Sequence, residues 1–189
     1  MKTGGNFTNW EVKLVGKRII LQDLRIDDIT TDYVDWMNDQ SVVQFTESRF
    51  QKHTFESTCS YVFQLHKSQD NILFGIFDIN NRLHLGNIKI GPIDTYHSIA
   101  DIGLIVGRKS YWGRGIATET IKLISDYAFE VLKIHKLTAS CYENNEGSKK
   151  AFLKAGYQQE GIRKKHCRNG LKWVDKYDFG LINPMCDGI

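Results

Sequence analysis

Gly113-Arg114-Gly115 lies in a run, Tyr111 to Thr118, with the composition of an anion cradle. Glycine lets backbone N–H groups come close to a ligand, and a helix that follows adds partial positive charge at its N-terminus. Phosphate or pyrophosphate is the natural guest. The run is not a Walker A loop, which needs G-x-x-x-x-G-K-[ST]. It also departs from the dinucleotide pattern G-x-G-x-x-G, because Thr118 stands where the last glycine would be. Taken alone, such a turn equally fits a plain strand-to-helix connection. A second run is Asn145 to Ser148, followed by Ala155-Gly156-Tyr157. Asn145 reads as a helix cap and Gly156 as a helix stop.

The elements that must position these runs follow from periodicity. Val15 to Leu24 reads as a strand after a loose tail, residues 1–14. Asp27 and Asp28 precede Ile29, Tyr33, Trp36 and Met37, whose spacing predicts a helix stopped at Asn38-Asp39. Gln40 to His53 is polar and reads as a loop on the working face. A second helix is expected from Thr54, with Phe55, Cys59, Val62 and Phe63 inward. Asn71 to Ile79 is apolar on both faces, as a buried strand is. Asn80-Asn81 turns it into Leu83 to Ile90, where Ile88 and Ile90 face one side and Asn87 and Lys89 the other. Ser98 to Val106 completes this meander. A long helix is expected from Ile116 to about Leu132, with Ile121, Ile124, Ala128 and Val131 inward. Lys136 to Tyr142, Tyr157 to Lys164 and Trp173 to Ile182 read as further strands. The order predicts an α/β (α+β) fold: a mixed, mainly antiparallel sheet flanked by helices on both faces.

Composition bounds the rest. The chain has 189 residues, suited to one domain over 1–189. A domain of this size buries roughly 70% of its unfolded surface and needs no staple. Hydrophobic residues make up 41% and charged residues 25%, which argues against disorder. The net charge of +3 calls for neither nucleic acid nor an anionic membrane. No apolar run of about 18 residues exists, and residues 1–10 lack a signal-peptide core. Cys59, Cys141, Cys167 and Cys186 form no C-x-x-C pair and no zinc spacing. Reduced thiols in a cytoplasmic protein, without a metal, are expected. The 16 glycines beside two prolines leave the question of where the glycines are used.

The two runs, in this order and separation, resemble the GNAT superfamily of acyl-CoA-dependent N-acetyltransferases. Trp112 to Ala117 is similar to its [Q/R]-x-x-G-x-[G/A] motif, with Trp112 in the Gln/Arg place. Asn145 and Ser148, then Gly156-Tyr157, are similar to its N-x-x-[S/A]…G-[F/Y] motif. The resemblance covers nearly the whole chain. Tyr111 to Glu119 is similar to the branch of ribosomal-protein N-terminal acetyltransferases and several small-amine and amino-sugar acetyltransferases.

The resemblance implies acetyl-CoA as co-substrate and a small-molecule amine as acceptor, in a monomer or homodimer. Leu104, Ile105, Val106, Gly113, Arg114, Gly115, Ile116, Ala117, Thr118, Asn145 and Ser148 would bind the CoA. The amine attacks the thioester directly, and a base must take its proton. Asp101 matches the place of a glutamate base in the histone-acetyltransferase branch, with Gly103 leaving room beside it. Ser140 occupies another base position, while His84, His97 and His166 are rivals. The Ile105 N–H is the implied oxyanion donor. Ser148 is the implied acid toward the thiolate, with Tyr142 as runner-up, because Phe152 replaces the usual tyrosine. Trp36, Glu47, Arg49, Asn87, Lys89 and His166 are acceptor-site candidates. The basic stretch from Lys164 to Arg168 would suit an anionic acceptor such as a nucleotide sugar. An amino sugar is the favoured acceptor. A protein N-terminal amine, a polyamine or aminoglycoside, or a catalytically silent CoA-binding module are the alternatives.

Overall fold

A computed structural model describes residues 12–185. Thirteen elements besides short 3₁₀ turns build it: β1 (Lys13–Val15), β2 (Ile19–Asp23), α1 (Thr31–Asn38), α2 (Gln40–Val43), α3 (Phe55–Lys67), β3 (Ile72–Asp78), β4 (His84–Asp94), β5 (Ile99–Val106), α4 (Ile116–Glu130), β6 (Lys136–Tyr142), α5 (Glu146–Lys154), β7 (Gln158–Asn169) and β8 (Lys172–Ile182). The strands form one sheet in the order β1-β2-β3-β4-β5-β6-β8-β7. Every neighbouring pair is antiparallel except β5 and β6, which run parallel. The expected mixed, mainly antiparallel sheet with helices on both faces is what forms.

Two apolar layers hold it. On one face, Ile116, Ile121, Ile124 and Ala128 of α4, with Ala151 and Phe152 of α5, pack on Phe74, Ile88, Ile90, Ile102 and Leu137. A fully buried side chain such as Ile121 stabilises the fold by roughly 1.5–3 kcal/mol. On the other face, Tyr33, Trp36 and Val62 close over Leu24, Leu73 and Phe77. β3 is covered from both sides, so it reads apolar at nearly every position.

Several expectations are corrected. The first strand is two, broken at Gly16–Arg18, where the Gly16 N–H donates to the Ile19 carbonyl. Any Cβ at Gly16 would lie 2.5 Å from Glu119 Oε1, so α4 presses the chain into this turn. Lys13 and Leu14 belong to β1 and not to a loose tail; residues 1–11 of that tail lie outside the described residues. The segment 40–53 is not all loop. It holds α2, capped by Asp39 accepting from the Ser41 N–H, and a 3₁₀ turn, Glu47–Phe50. Phe55 and Phe63 are exposed, because α3 lays Thr58 and Val62 on the sheet. Val131 is also exposed, beyond the end of α4. β7 is longer than expected, and Tyr157 precedes it as a core residue.

Candidate active site

α4 starts at Gly115, whose φ of +79° and ψ of 9° are left-handed, and Gly113 also has positive φ, +73°. Glycine is the residue that accepts this backbone at little cost. The first helical bond is the Glu119 N–H to the Gly115 carbonyl. The N–H groups of Ile116, Ala117 and Thr118 therefore have no partner within the helix. Nothing lies within 4 Å of where a Gly113 Cβ would be, so the turn is open to a ligand. Arg114 lies over the Tyr111 ring, and the Trp112 indole N–H donates to the Val106 carbonyl at 2.7 Å. Trp112 thus pins the turn to the end of β5. The Arg18 guanidinium lies against Gly115 and is held by Glu119 at 2.8 Å.

β5 and β6 pair at only three positions: Ile99 with Lys136, Ala100 with Leu137, and Asp101 with Thr138. Beyond Asp101 the strands separate. β5 continues against β4 alone, and β6 against β8 alone. A gap opens there, leading toward the glycine turn.

The backbone directions across the gap follow from alternation. The Ser98 carbonyl accepts from the His135 and Lys136 N–H groups on the β6 side, whereas the Gly107 N–H donates to Leu85 on the β4 side. With no register shift between Ile102 and Val106, even-numbered residues of β5 point their backbone groups toward the gap. The Leu104 and Val106 amides face it, and Ile105 faces Asn87. This corrects the Ile105 N–H as the oxyanion donor.

Asp101 stands where the strands part. Thr138 Oγ1 donates to its Oδ1 at 3.0 Å. Desolvation by the surrounding strands pushes the Asp101 carboxyl above its ordinary value. The Thr138 bond and the charges of Lys176 and Lys89 oppose that rise, and Asp178 adds to it. A Cβ at Gly103 would meet nothing within 4 Å, so there is room beside Asp101. Asp101, Thr138, Ser140, Glu160, Arg163 and Asp178 line a cavity of about 360 Å³. Glu160 is the extra residue of a β-bulge, where Gln159 pairs with Phe179 and Gly161 with Asp178. A bulge re-aims a side chain. Glu160 is so placed that a Cβ at Gly180 would collide with its carboxylate.

Ser148 sits in the first turn of α5, its N–H donating to the Asn145 cap at 3.1 Å. Its hydroxyl is in hydrogen-bond contact with Cys141, whose thiol burial pushes up to about 11. Tyr142 is differently placed. It is 5% exposed, its hydroxyl donates to Glu47 Oε1 at 2.9 Å, and it accepts from Arg49 Nη2 at 2.9 Å. Burial first, then Glu47 against Arg49, pushes its phenol up to about 12. Arg49 also donates to the Gln44, Thr46 and Arg168 carbonyls. Glu47, Arg49 and Tyr142 therefore form a clamp joining the 3₁₀ turn to β6 and β7. Tyr142 and Arg49 are committed to this clamp, whereas Glu47 stays exposed with its Oε1 accepting from Tyr142.

Other acceptor candidates divide similarly. Trp36 is 7% exposed and packs flat on Gly107. Asn87 is 5% exposed and accepts from His84 Nε2 at 2.9 Å. Both are internal, contrary to expectation. Lys89 is half-buried, opposite Gly103 and on the face of Asp101. His166 is exposed, in a second β7 irregularity between Arg163 and Cys167. Asp175 pins that stretch through Lys164 Nζ and the Lys165 N–H, both at 2.8 Å, so the basic run is partly neutralised. His84 is buried, and desolvation lowers its pKa, which keeps it neutral. His97 is exposed in the β4–β5 turn. Thr138, Glu160 and Asp178 were missed, because only strand pairing brings them to Asp101. Among the described residues no group of His, Cys, Asp or Glu is arranged to hold a metal, and no helix is long and apolar enough to cross a membrane.

Comparison with known proteins fits this geometry. The probable N-acetyltransferase YjcK of Bacillus subtilis is 28% identical over 182 residues, spanning 90% of this chain and 97% of that one. The spermidine N-acetyltransferase of Vibrio cholerae, solved with CoA and spermine, superposes with a TM-score of 0.79 at 16% identity, over 89% and 97% of the two chains. The ribosomal-protein-S5-alanine acetyltransferase of Vibrio fischeri superposes with a TM-score of 0.78 at 21% identity, over 92% and 97%. Residues 18–158 match the family model described as an acetyltransferase (GNAT) domain, and the chain belongs to the GNAT family of acetyl-CoA-dependent N-acetyltransferases.

Proposed function

We propose that this enzyme moves the acetyl group of acetyl-CoA onto the primary amine of an amino sugar held beside Asp101. The observation that carries this reading is the charge balance of the cavity. The structure gathers three carboxylates that the sequence keeps apart, yet two already have cations. Asp178 pairs with Arg163 at 2.7 Å and Glu160 with Lys136 at 2.8 Å. Such a wall is polar and nearly neutral. It suits a hydroxyl-rich body carrying one amine better than a polycation. Lys164 is likewise paired, with Asp175, so a nucleotide carrier is not required.

The chain's groups fit the chemistry in sequence. An alkyl amine near the lysine reference pKa of about 10.4 arrives protonated at pH 7. Asp101, directly or through one water, takes its proton. The nitrogen then bonds to the thioester carbon, and the oxygen that turns anionic meets one of the gap-facing amides, Leu104 or Val106. The carbon–sulfur bond breaks, the nitrogen sheds its second proton to solvent, and the thiolate is protonated through the Ser148 hydroxyl, which takes a proton from water in exchange; Asp101 then gives the first proton to solvent. Tyr142 has its proton committed to Glu47, so the acid role goes to Ser148. Gly113, Arg114, Gly115 and the first α4 amides would take the pyrophosphate.

Thiol release from acetyl-CoA, measured with a free amino sugar, spermidine and a peptide bearing a free N-terminal alanine, tests the acceptor. The highest kcat/KM is expected with the amino sugar. Preference for either other amine overturns that assignment. Tight CoA binding with no thiol release for any amine makes the chain a silent CoA-binding module.

A further inference from the structure

We propose that Thr138 is the positioning residue of the reaction's base: its hydroxyl holds one oxygen of Asp101, leaving the other to meet the acceptor amine. This rests on the assignment of Asp101 as base. Asp101 and Thr138 form the last pair of the parallel β5–β6 ladder. Beyond them neither strand has a neighbour across the gap to restrain a side chain. A carboxylate there has broad rotational freedom about its terminal torsion. Thr138 supplies the missing restraint. Its single hydroxyl proton has two acceptors in reach, Asp101 Oδ1 at 3.0 Å and the Ala100 carbonyl at 3.5 Å. The shorter contact, to a charged acceptor, is the stronger. Thr138 is β-branched, so χ1 of the donor is itself restricted.

The other groups facing Asp101 do not replace this contact. Lys89 on β4 and Lys176 on β8 act on it through charge, as does Asp178 with opposite sign. Asp178 is engaged by Arg163, and Glu160 by Lys136. The Tyr157 phenol, whose pKa the Asp101 charge helps raise, is bonded to Ser125. Among the described residues Thr138 is the one side chain shown donating to Asp101.

Removing the hydroxyl has two consequences. The carboxylate loses its restraint, so the rate falls without loss of acceptor affinity. It also loses a donor that favours the ionised form, so its pKa rises further. Activity needs the ionised form, so the acid limb of the pH–rate profile moves to higher pH. A hydrogen bond to a charged group is worth enough for about one pH unit.

The test uses the full chain and the best amine of the acceptor panel. Thr138→Val and Thr138→Ala are expected to lower kcat roughly tenfold at unchanged acceptor KM, with the acid limb raised by about one unit. Thr138→Ser is expected to restore both. CoA titration and thermal melting establish that each variant is folded. If both hydroxyl-less variants keep the parent's pH profile while Asp101→Asn has lost at least a hundredfold, the positioning role is overturned and the base stands. If Asp101→Asn retains the parent's rate, the base assignment fails and Thr138's role with it.

Discussion

Replacing Gly115 separates charge from strain at the phosphate turn. Gly115 sits at φ +79°, so any L-residue there meets a left-handed backbone costing about 1–2 kcal/mol, least for Asn and Asp. Gly115→Asn and Gly115→Asp share that strain and nearly share shape. They differ in one negative charge. The introduced carboxylate would lie roughly 6 Å from a bound phosphate charge. At an effective dielectric constant of about 20 that is a repulsion of about 3 kcal/mol. A pyrophosphate carries more than one such charge. However, the position a Cβ would take is 3.1 Å from Arg18 Nη2, and Arg18 would partly neutralise the new group. These two effects oppose each other, so about 3 kcal/mol serves as the net figure, equal to about two orders of magnitude in Kd. Calorimetric titration with CoA is expected to give a modest loss for Gly115→Asn and the further hundredfold loss for Gly115→Asp. Equal affinities for the two folded variants would refute the placement of the pyrophosphate at this turn.

Two further expectations concern stability. The Lys109 ammonium first, and the Ser41 hydroxyl and N–H next, hold the Asp39 carboxyl down from 3.8 to about 2. A depressed carboxyl stabilises the fold above its unfolded pKa, and that contribution disappears as pH falls from about 3.8 through about 2. Denaturant midpoints of parent and Asp39→Asn should differ at pH 6, with the gap much reduced at pH 2 and closing below it; a gap undiminished between pH 6 and pH 2 removes ionisation as its cause. Gly107→Ala forces a methyl into the Trp36 indole. Overpacking of this kind costs about 1–3 kcal/mol, and melting should fall by about 2–4 °C per kcal/mol. An unchanged melting temperature would show that Trp36 yields freely.

What the sequence made legible was what lies close along the chain. The glycine turn, the Asn145 cap and the Gly156 stop each depend on a few consecutive residues, and each forms as read. Strand alternation placed Asn87 and Lys89 on the face opposite Ile88 and Ile90. It did not say that Asn87 would be buried beside His84 and Lys89 left half-open. Burial of that kind depends on which helix crosses which strand. The α3 stripe held at Val62 and at Cys59 beside it but failed at Phe55 and Phe63, which are exposed while Thr58 turns inward. The cavity beside Asp101 was invisible for a related reason. Asp101, Thr138, Glu160 and Asp178 lie on four different strands, and a bulge directs one of them. Local pattern carries no trace of such a bulge.

The same distance in sequence separates the two substrate sides, and packing is what joins them. Asp32 on α1 pairs with Arg108, and Asp39 before α2 with Lys109 at 2.6 Å. Both cations lie in the segment between β5 and the glycine turn. Ion pairs this exposed contribute little alone. They close around a stronger contact, Trp36 flat on Gly107, with Arg108 also donating to the His84 carbonyl at 2.8 Å. The indole is 7% exposed and touches His84 and Tyr33, so it cannot shift without disturbing the second core. The spacing between the phosphate turn and the acceptor-side helices is thus set by a buried aromatic on a glycine. Charge then fixes rotation about that contact. An error of about 1 Å at a reacting centre costs about a hundredfold in rate. Gly107 is therefore the point through which α1 and α2, which bring no side chain to the cavity beside Asp101, are fixed to the end of β5.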